Sequence, residues 1–577
     1  MSEFNYNSYN LQIAVSDTKI IGDGEKNMKK IFSAIAFSVV GFLLFLCIQK
    51  ILVYKWSEYK QFFEASGLKF SELDELRGKG DIQAFFLGPS TIGYSIDPMQ
   101  IYRDHKIASF NLYSSVQPID GSYFLAKKVI DEFHPKIIFL DVSSLFYDGY
   151  ADSFCHILFD NTPFSIDKLK FALEFARLDT GDYDLNRLKE ALIPFYTYHS
   201  RWAELKDYDF DNKNNYNLFQ KGHYLDTRIA PFTFDSENMN FVAYTIMDNI
   251  GFTRVFSEAG EEVKTTDSAL YAPQINEKNI LYFEKIISLC KNKGVRLILI
   301  KIPSISEPQY QSSSWTEIKY DLIKQLASNS NIPFIDLLYD HDLDLNLETD
   351  SMDGGIHLNH NGAVKVSDFV GNYLKNLPGI EMKRHEEYEK DLSIHEKVLE
   401  AANLQSVYHF TDYLKTIRNL SGKTIILSAS DDMRSELDET DISLFQALGL
   451  KADFKNMEFR NSYIAVIRDG IVEYESVSNR RIEYSTEIGN KIACNITSSG
   501  WYTGSESKIV IDGTDVSVGD RGINIAVFDN ESDLVLDSVS FDTFAGNDPS
   551  GIRDGSNSFD FFNKYKNYLM QQDYNKK

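Results

Sequence analysis

The sequence predicts an α/β body built on a parallel sheet, preceded by one membrane-spanning helix and followed by a β-rich α+β module. Three observations carry this. Ile31 to Ile48 is an uncharged apolar run, and a second short run, Ile51 to Tyr54, follows Gln49 and Lys50. Between residues 82 and 378, short apolar runs alternate with amphipathic helical stretches, the pattern of a parallel sheet with crossover helices. Beyond about residue 405 that alternation stops and strands dominate.

Composition bounds the function classes. The 577 residues carry 59 Lys+Arg against 84 Asp+Glu, a net charge of −25, with 43% hydrophobic and 14% aromatic residues. Such a chain fills real cores and is not disordered. It is also a poor general binder of nucleic acid, because phosphate contacts need a basic surface. The four cysteines, Cys47, Cys155, Cys290 and Cys494, show no C-x-x-C spacing, which excludes a disulfide scaffold. The eleven histidines show no H-x-x-x-H pattern, so no metal or other cofactor is expected.

Taken in order, residues 1–30 read as a polar cytoplasmic tail and residues 31–54 as a single-pass anchor, with Lys50 snorkelling to the interface. A cleaved signal peptide fits less well, since the run is long and no A-x-A-like site follows it. Lys26, Lys29 and Lys30 before the span balance Lys50, Lys55 and Lys60 after it. The extracytoplasmic placement of the body therefore rests on the chemistry below and not on the positive-inside rule. Residues 55–80 read as a helical stalk. The body, 81–378, begins with the strand IQAFFLG, the strand IASFNLY, the helix SYFLAKKVIDEF and the strand KIIFLDVS. A Tyr- and Asp-rich insertion covers about 150–270. The alternation then resumes with the helix NILYFEKIISLCKNKG, closed by Gly294, the strand VRLILIKIP, the helix WTEIKYDLIKQLASNS and the strand IPFIDLL. The final helix, GAVKVSDFVGNYLKNL, stops at Pro378. Residues 379–404 form a charged helical linker, and 405–577 a separate domain.

Two segments of the body carry candidate chemistry. Gly88-Pro89-Ser90 follows directly on a buried strand, and the carboxyl end of a parallel strand is where open α/β sheets build sites. A serine on that turn can present its hydroxyl beside backbone N–H groups that stabilise an oxyanion; it is also a favoured N-cap, and taken alone the two readings weigh the same. In DSMDGGIHLNHNGAVKVS, Asp353 stands four residues before His357, between the last strand and the last helix. A carboxylate beside a histidine fixes its tautomer and stabilises the imidazolium, although a turn aspartate and a loop histidine would look the same.

These residues resemble the SGNH (GDSL-like) hydrolases, over about residues 80–378. The branch they are most similar to is the membrane-anchored bacterial group resembling the D-alanine transfer protein of teichoic acid synthesis. The G-S-S-H-type turn is matched by Gly88-Pro89-Ser90-Thr91, the downstream s-D-P by Ile96-Asp97-Pro98, and HLN-x-x-GA-x-K by His357-Leu358-Asn359, Gly362-Ala363 and Lys365. The resemblance implies a flavodoxin-like parallel sheet and a Ser90–His357–Asp353 triad. The Asp–His spacing is one residue longer than the family's, which leaves Asp350 as an alternative partner of His357. The family's G-x-N-D block has no match, so the resemblance leaves the oxyanion to the Ser90 N–H, the Gly88 turn, and Asn111 or Gln117 from FNLYSSVQ, residues that equally suit turns and caps. In the insertion, His199, Arg201 and Trp202 combine aromatic and cationic character suited to a sugar or anionic substrate, against a bland reading of local packing. Lys221-Gly222-His223 is a candidate of the same kind, with the bland reading slightly ahead for His223, while Lys301-Ile302-Pro303 ends a buried strand at the same edge as Ser90 and reads equally as a wall of the site or a simple strand terminus.

The tail carries a second resemblance, to the interleukin-like EMT inducer (ILEI) domain. Its motifs are matched by Arg521-Gly522-Ile523-Asn524, Phe541-Asp542-Thr543, Ser430-Asp431-Asp432, Leu448-Gly449 and Phe459-Arg460-Asn461-Ser462-Tyr463. Their order is rotated relative to the animal proteins, so the tail resembles a circularly permuted form, and the resemblance implies carbohydrate binding, weighed equally with a structural role. The two resemblances together imply an anchored serine esterase or O-acyltransferase. Its expected partners are a cell-surface polysaccharide or teichoic-acid-like polymer, the membrane through one helix, and a membrane acyl-donor protein. The alternative is a non-catalytic scaffold of the same fold.

Overall fold

The computed structural model describes residues 7–53, 65–147, 158–178, 180–205, 210, 221–227, 275–303, 313–337, 343–352, 356–546 and 548–553. They fall into two units. One comprises residues 1–60 with 162–213, and the other residues 61–161 with 214–577.

In the larger unit the body is a five-stranded parallel sheet. After helix α2 (Ala65–Leu76; α1 belongs to the smaller unit and is Asn7–Leu52), the elements run β1 (Ala84–Gly88), α3 (Ser90–Ser95), α4 (Pro98–His105), β2 (Ser109–Tyr113), α5 (Ile119–Phe133), β3 (Ile137–Asp141), α6 (Glu277–Lys293), β4 (Arg296–Lys301), α7 (Ser313–Ser330) and β5 (Phe334–Asp336). The strand order is β2-β1-β3-β4-β5, all parallel. This is the flavodoxin-like order, and it fits an SGNH hydrolase fold. Its topological switch point, where such sheets open a crevice, lies between the carboxyl ends of β1 and β3. Strands β1, β2 and β3 are buried along their whole length, which explains their near-continuous apolar sequences. One face is sealed by α3, α4 and α8 (His360–Lys375), whose Ile92, Ile96, Ile101, Val366, Val370 and Leu374 join Phe86 and Phe139 in one core. Asp97 starts α4 by accepting from Met99 N and Gln100 N, ahead of Pro98 at the first helical position.

Helix α9 (Glu386–Gln405) leads from the body into the tail. Its Tyr388 hydroxyl donates to Ser109 O at 2.6 Å, while Ile394, Val398, Ala401 and Ala402 enter the tail's core. The tail is a ten-stranded sheet centred on the strand Lys423–Asp431, which pairs antiparallel with Gly522–Asp529 and with Ser462–Arg468. Along that strand Ile425, Leu427 and Ala429 face one core and Ile426 faces the other, the period-two alternation of a sheet covered on both sides.

The smaller unit holds α1 and part of the insertion. Lys30–Leu52 is long and apolar enough to cross a membrane, with a mean hydropathy of 2.7. The helix itself starts at Asn7, well before the apolar run. Hydropathy marks where a helix can meet lipid and not where it begins, and no proline interrupts residues 7–30.

Candidate active site

Two of the predicted residues meet. Ser90 Oγ and His357 Nε2 are 2.7 Å apart, across 267 residues of sequence, and both side chains are buried. Ser90 reaches this position because β1 ends at Gly88 and Pro89 turns the chain directly into α3, so Ser90 is its first helical residue. Gly88 is needed for packing: a Cβ there would lie 2.5 Å from Asp141 Cβ. His357 opens β7 (His357–Leu358), which pairs with β6 (Ser351–Met352). Its ring lies 4.5 Å from that of Tyr94, which lies 4.7 Å from that of Tyr224, so aromatic rings fix the imidazole plane. Asn359 then caps α8 by accepting from Gly362 N.

Asp353 lies outside the described residues. The alternative, Asp350, is engaged elsewhere. Its carboxylate accepts from Lys365 Nζ at 2.7 Å and from Asn346 N at 2.7 Å.

The oxyanion candidates have other work in this structure. Asn111 Nδ2 donates to Ile96 O at 2.7 Å and to Ile92 O at 3.4 Å, holding the end of α3 onto β2. Gln117 accepts from Ser114 Oγ and donates to Ser122 Oγ, closing the loop between β2 and α5. Both amides spend their hydrogens on internal braces. His199, Arg201 and Trp202 belong to the unit with α1. There Arg201 is buried and donates to the carbonyls of Ile51, Leu52 and Val53 at 3.3, 2.9 and 3.4 Å. A sugar-binding role does not fit a guanidinium spent on a helix terminus. His199 Nδ1 lies 3.1 Å from Tyr196 O, and Trp202 is exposed.

Asp141, which sequence reasoning passed over, and the weaker candidate Lys301 lie at the same end of the sheet. Asp141, at the carboxyl end of β3, accepts from Ser143 N at 2.7 Å and from Ile302 N at 3.4 Å, and Thr91 Oγ1 lies 3.5 Å away. Burial raises its pKa, and the positive charge of Lys301 offsets this only in part. Lys301 ends β4 and donates to Ser143 Oγ at 3.2 Å. The signal for Asp141 was visible: it is the first polar residue after the apolar run IIFL.

The segment 221–227 forms the floor beneath α3. Asn111 N donates to Lys221 O, Tyr224 N donates to Gly93 O, and His360 N donates to Asp226 O. Gly222 sits at φ +82°, with room for no side chain, since a Cβ would be 2.2 Å from Asn111 O. His223 Nδ1 lies 2.9 Å from Gly93 O. Lys221 is buried and donates to Glu72 Oε1 at 2.9 Å and to Asp391 Oδ2. One ammonium thus serves two carboxylates. Burial outweighs Glu72's share of that charge and leaves its pKa raised, whereas for Lys221 the two carboxylates outweigh burial and hold the proton more firmly. Nearby, burial pushes the Asp97 carboxyl up, but His395, His223 and the N–H groups of Gln100 and Met99 outweigh it and leave the pKa lowered.

No known family model matches the chain, and no curated protein matches it. Among solved structures, it is similar to a proposed acylhydrolase from Bacteroides fragilis NCTC 9343, at 11% identity over 56% of this chain and 97% of that one, with a TM-score of 0.23. It is also similar to a GDSL-like lipase from Bacteroides thetaiotaomicron VPI-5482, at 8% identity over 54% and 97%, with a TM-score of 0.25.

Proposed function

We propose that the chain is a membrane-anchored serine esterase or O-acyltransferase acting on a cell-surface polysaccharide or teichoic-acid-like polymer. The observation that carries the reading is the buried 2.7 Å contact between Ser90 Oγ and His357 Nε2 at the switch point of the sheet. In this reading Ser90 Oγ attacks the carbonyl carbon of an ester while its proton passes to His357 Nε2. The imidazolium returns that proton to the departing alcohol, leaving an acyl group on Ser90. Water or a polymer hydroxyl then takes the acyl group by the same route in reverse. Asp353 is the proposed partner of Nδ1, because Asp350 is held by Lys365. The Ser90 N–H, in the first turn of α3, is the proposed oxyanion donor. Lys30–Leu52 is the proposed anchor, with the body outside.

The tail is proposed to hold the polymer, as its resemblance to ILEI domains suggests. Support comes from an exposed cluster at one end of its sheet. Trp501, Tyr502 and Phe459 are solvent-facing, and the Arg460 guanidinium lies 5.4 and 5.6 Å from the Trp501 and Tyr502 rings. Flat aromatic faces beside a cation suit a sugar ring.

The test uses the full chain in detergent with a chromogenic acetyl ester. Ser90→Ala is expected to lower turnover by roughly 10³-fold or more, and a fluorophosphonate should label the parent and not the variant. Equal turnover in both proteins would sink the catalytic reading.

A further inference from the structure

The insertion carries large apolar side chains that face solvent. Trp202 is 72% exposed, Phe164 and Ile166 each 71%, Leu185 62% and Tyr196 51%. Exposed apolar side chains on a segment packed against an apolar helix make that segment a candidate membrane contact. Two of them, Tyr196 and Trp202, stand next in sequence to residues that reach the end of α1. Phe195 N donates to Gln49 Oε1 at 3.4 Å, and the rings of Phe195 and Phe45 are 5.6 Å apart. Arg201 caps the last carbonyls of the helix, a buried cation at a helix C-terminus.

The depth of this contact follows from helix geometry. Phe45 precedes Leu52 by seven residues, or about 10 Å at 1.5 Å per residue. The whole stretch Lys30–Leu52 is 23 residues, about 35 Å long, against a hydrocarbon core of about 30 Å. A segment packed on Phe45 and Gln49 therefore lies at the level of the last two turns of the span. Tryptophan and tyrosine favour that interfacial layer. Charge does not oppose it, since residues 162–205 carry six basic and seven acidic groups while the whole chain stands at −25.

We propose that residues 162–205 are a membrane-interface platform, seated in the headgroup layer of the leaflet that the C-terminal end of α1 reaches. The proposal rests on reading Lys30–Leu52 as a span. It makes the insertion a lipid-binding collar around the anchor, with Arg201 as the pin between them.

The test uses the full chain in phosphatidylcholine vesicles, with and without lipids brominated near the top of the acyl chain. The chain has four tryptophans, and replacing Trp56, Trp315 and Trp501 by Phe leaves Trp202 as the reporter. Its emission is expected to be blue-shifted, quenched by the shallow brominated lipid and poorly quenched by aqueous acrylamide. As a check that does not depend on the triple variant folding, Trp202→Phe alone should remove part of the parent's lipid-quenchable emission. A second reporter, Phe37→Trp in a chain with all four native tryptophans replaced by Phe, reads the span itself. Quenching there by lipids brominated deep in the acyl chain, with Trp202 open to acrylamide, would overturn the platform and leave the anchor standing. No lipid quenching at either position would overturn both.

Discussion

Lys221 is the keystone under the site, and Lys221→Met tests that directly. Its ammonium is 2.9 Å from Glu72 Oε1, with side-chain exposures of 2% and 4% for the pair. At an effective dielectric of 20 that separation gives a gross attraction of about 6 kcal/mol, much of it offset by desolvation. Removing one member of a buried pair leaves the other uncompensated and costs about 3–5 kcal/mol. A domain's whole stability is about 5–15 kcal/mol, so the loss is large. The pH dependence fixes the cause. Glu72's pKa is raised in the folded protein, chiefly by burial. An acid that holds its proton more tightly when folded loses stability as pH rises from its unfolded pKa to its folded one. Without Lys221 the folded pKa climbs further. The deficit is then complete above that value and shrinks as pH falls toward the ordinary carboxylate range. Urea unfolding of the full chain in detergent, at pH 8 and pH 5, measures it. Adding Glu72→Gln should recover much of the loss, because Asp391, at 23% side-chain exposure, can be solvated. A single variant as stable as the parent at pH 8, or a deficit unchanged in acid, would refute the reasoning.

Three further outcomes follow from the same contacts. Asn111→Ala strands the buried Ile96 carbonyl and should cost about 1–3 kcal/mol of stability; it should change turnover less than tenfold, whereas loss of an oxyanion donor would cost about 10²–10³, so ester kinetics beside melting curves separate the roles. Gly222→Ala combines φ +82° with a Cβ 2.2 Å from Asn111 O and should destabilise by about 2–4 kcal/mol, read as a lower denaturant midpoint. Trp501→Ala with Tyr502→Ala should weaken retention on an immobilised cell-wall glycan while leaving the unfolding midpoint within about 0.5 kcal/mol, as expected for exposed positions.

The parts legible in the sequence are those written in local pattern. Fully buried strands read as apolar runs, and β1 and β3 could be placed for that reason. Gly88-Pro89 marks a strand end, and Ser90 and His357 stood out because each falls in the sequence between an apolar run and a helical stretch. The parts that were illegible depend on partners far away in sequence. Lys221 lies 149 residues from Glu72 and 170 from Asp391, and nothing near it signals a buried triad. Arg201 looked like a ligand-binding guanidinium because the carbonyls it caps lie about 150 residues upstream. Asn111 and Gln117 are polar and follow a strand, which sequence cannot distinguish from a site rim. Only their full burial and their donors' directions reveal braces.

The floor beneath α3 also sets a timetable. Ser90 leaves the ribosome first, Lys221 and Gly222 follow well over a hundred residues later, and Asp391 and Tyr388 come some three hundred residues behind it. At synthesis rates of about 5–20 residues per second, that interval is roughly 15–60 s. Strand β1 and the helix α3 that carries the serine can form first, yet the wedge that holds α3 against β2 waits for helix α9 to arrive. Nascent chains therefore pass through some three hundred residues of synthesis with the hydroxyl present and its seat unfinished, a built-in delay between making the nucleophile and completing its surroundings.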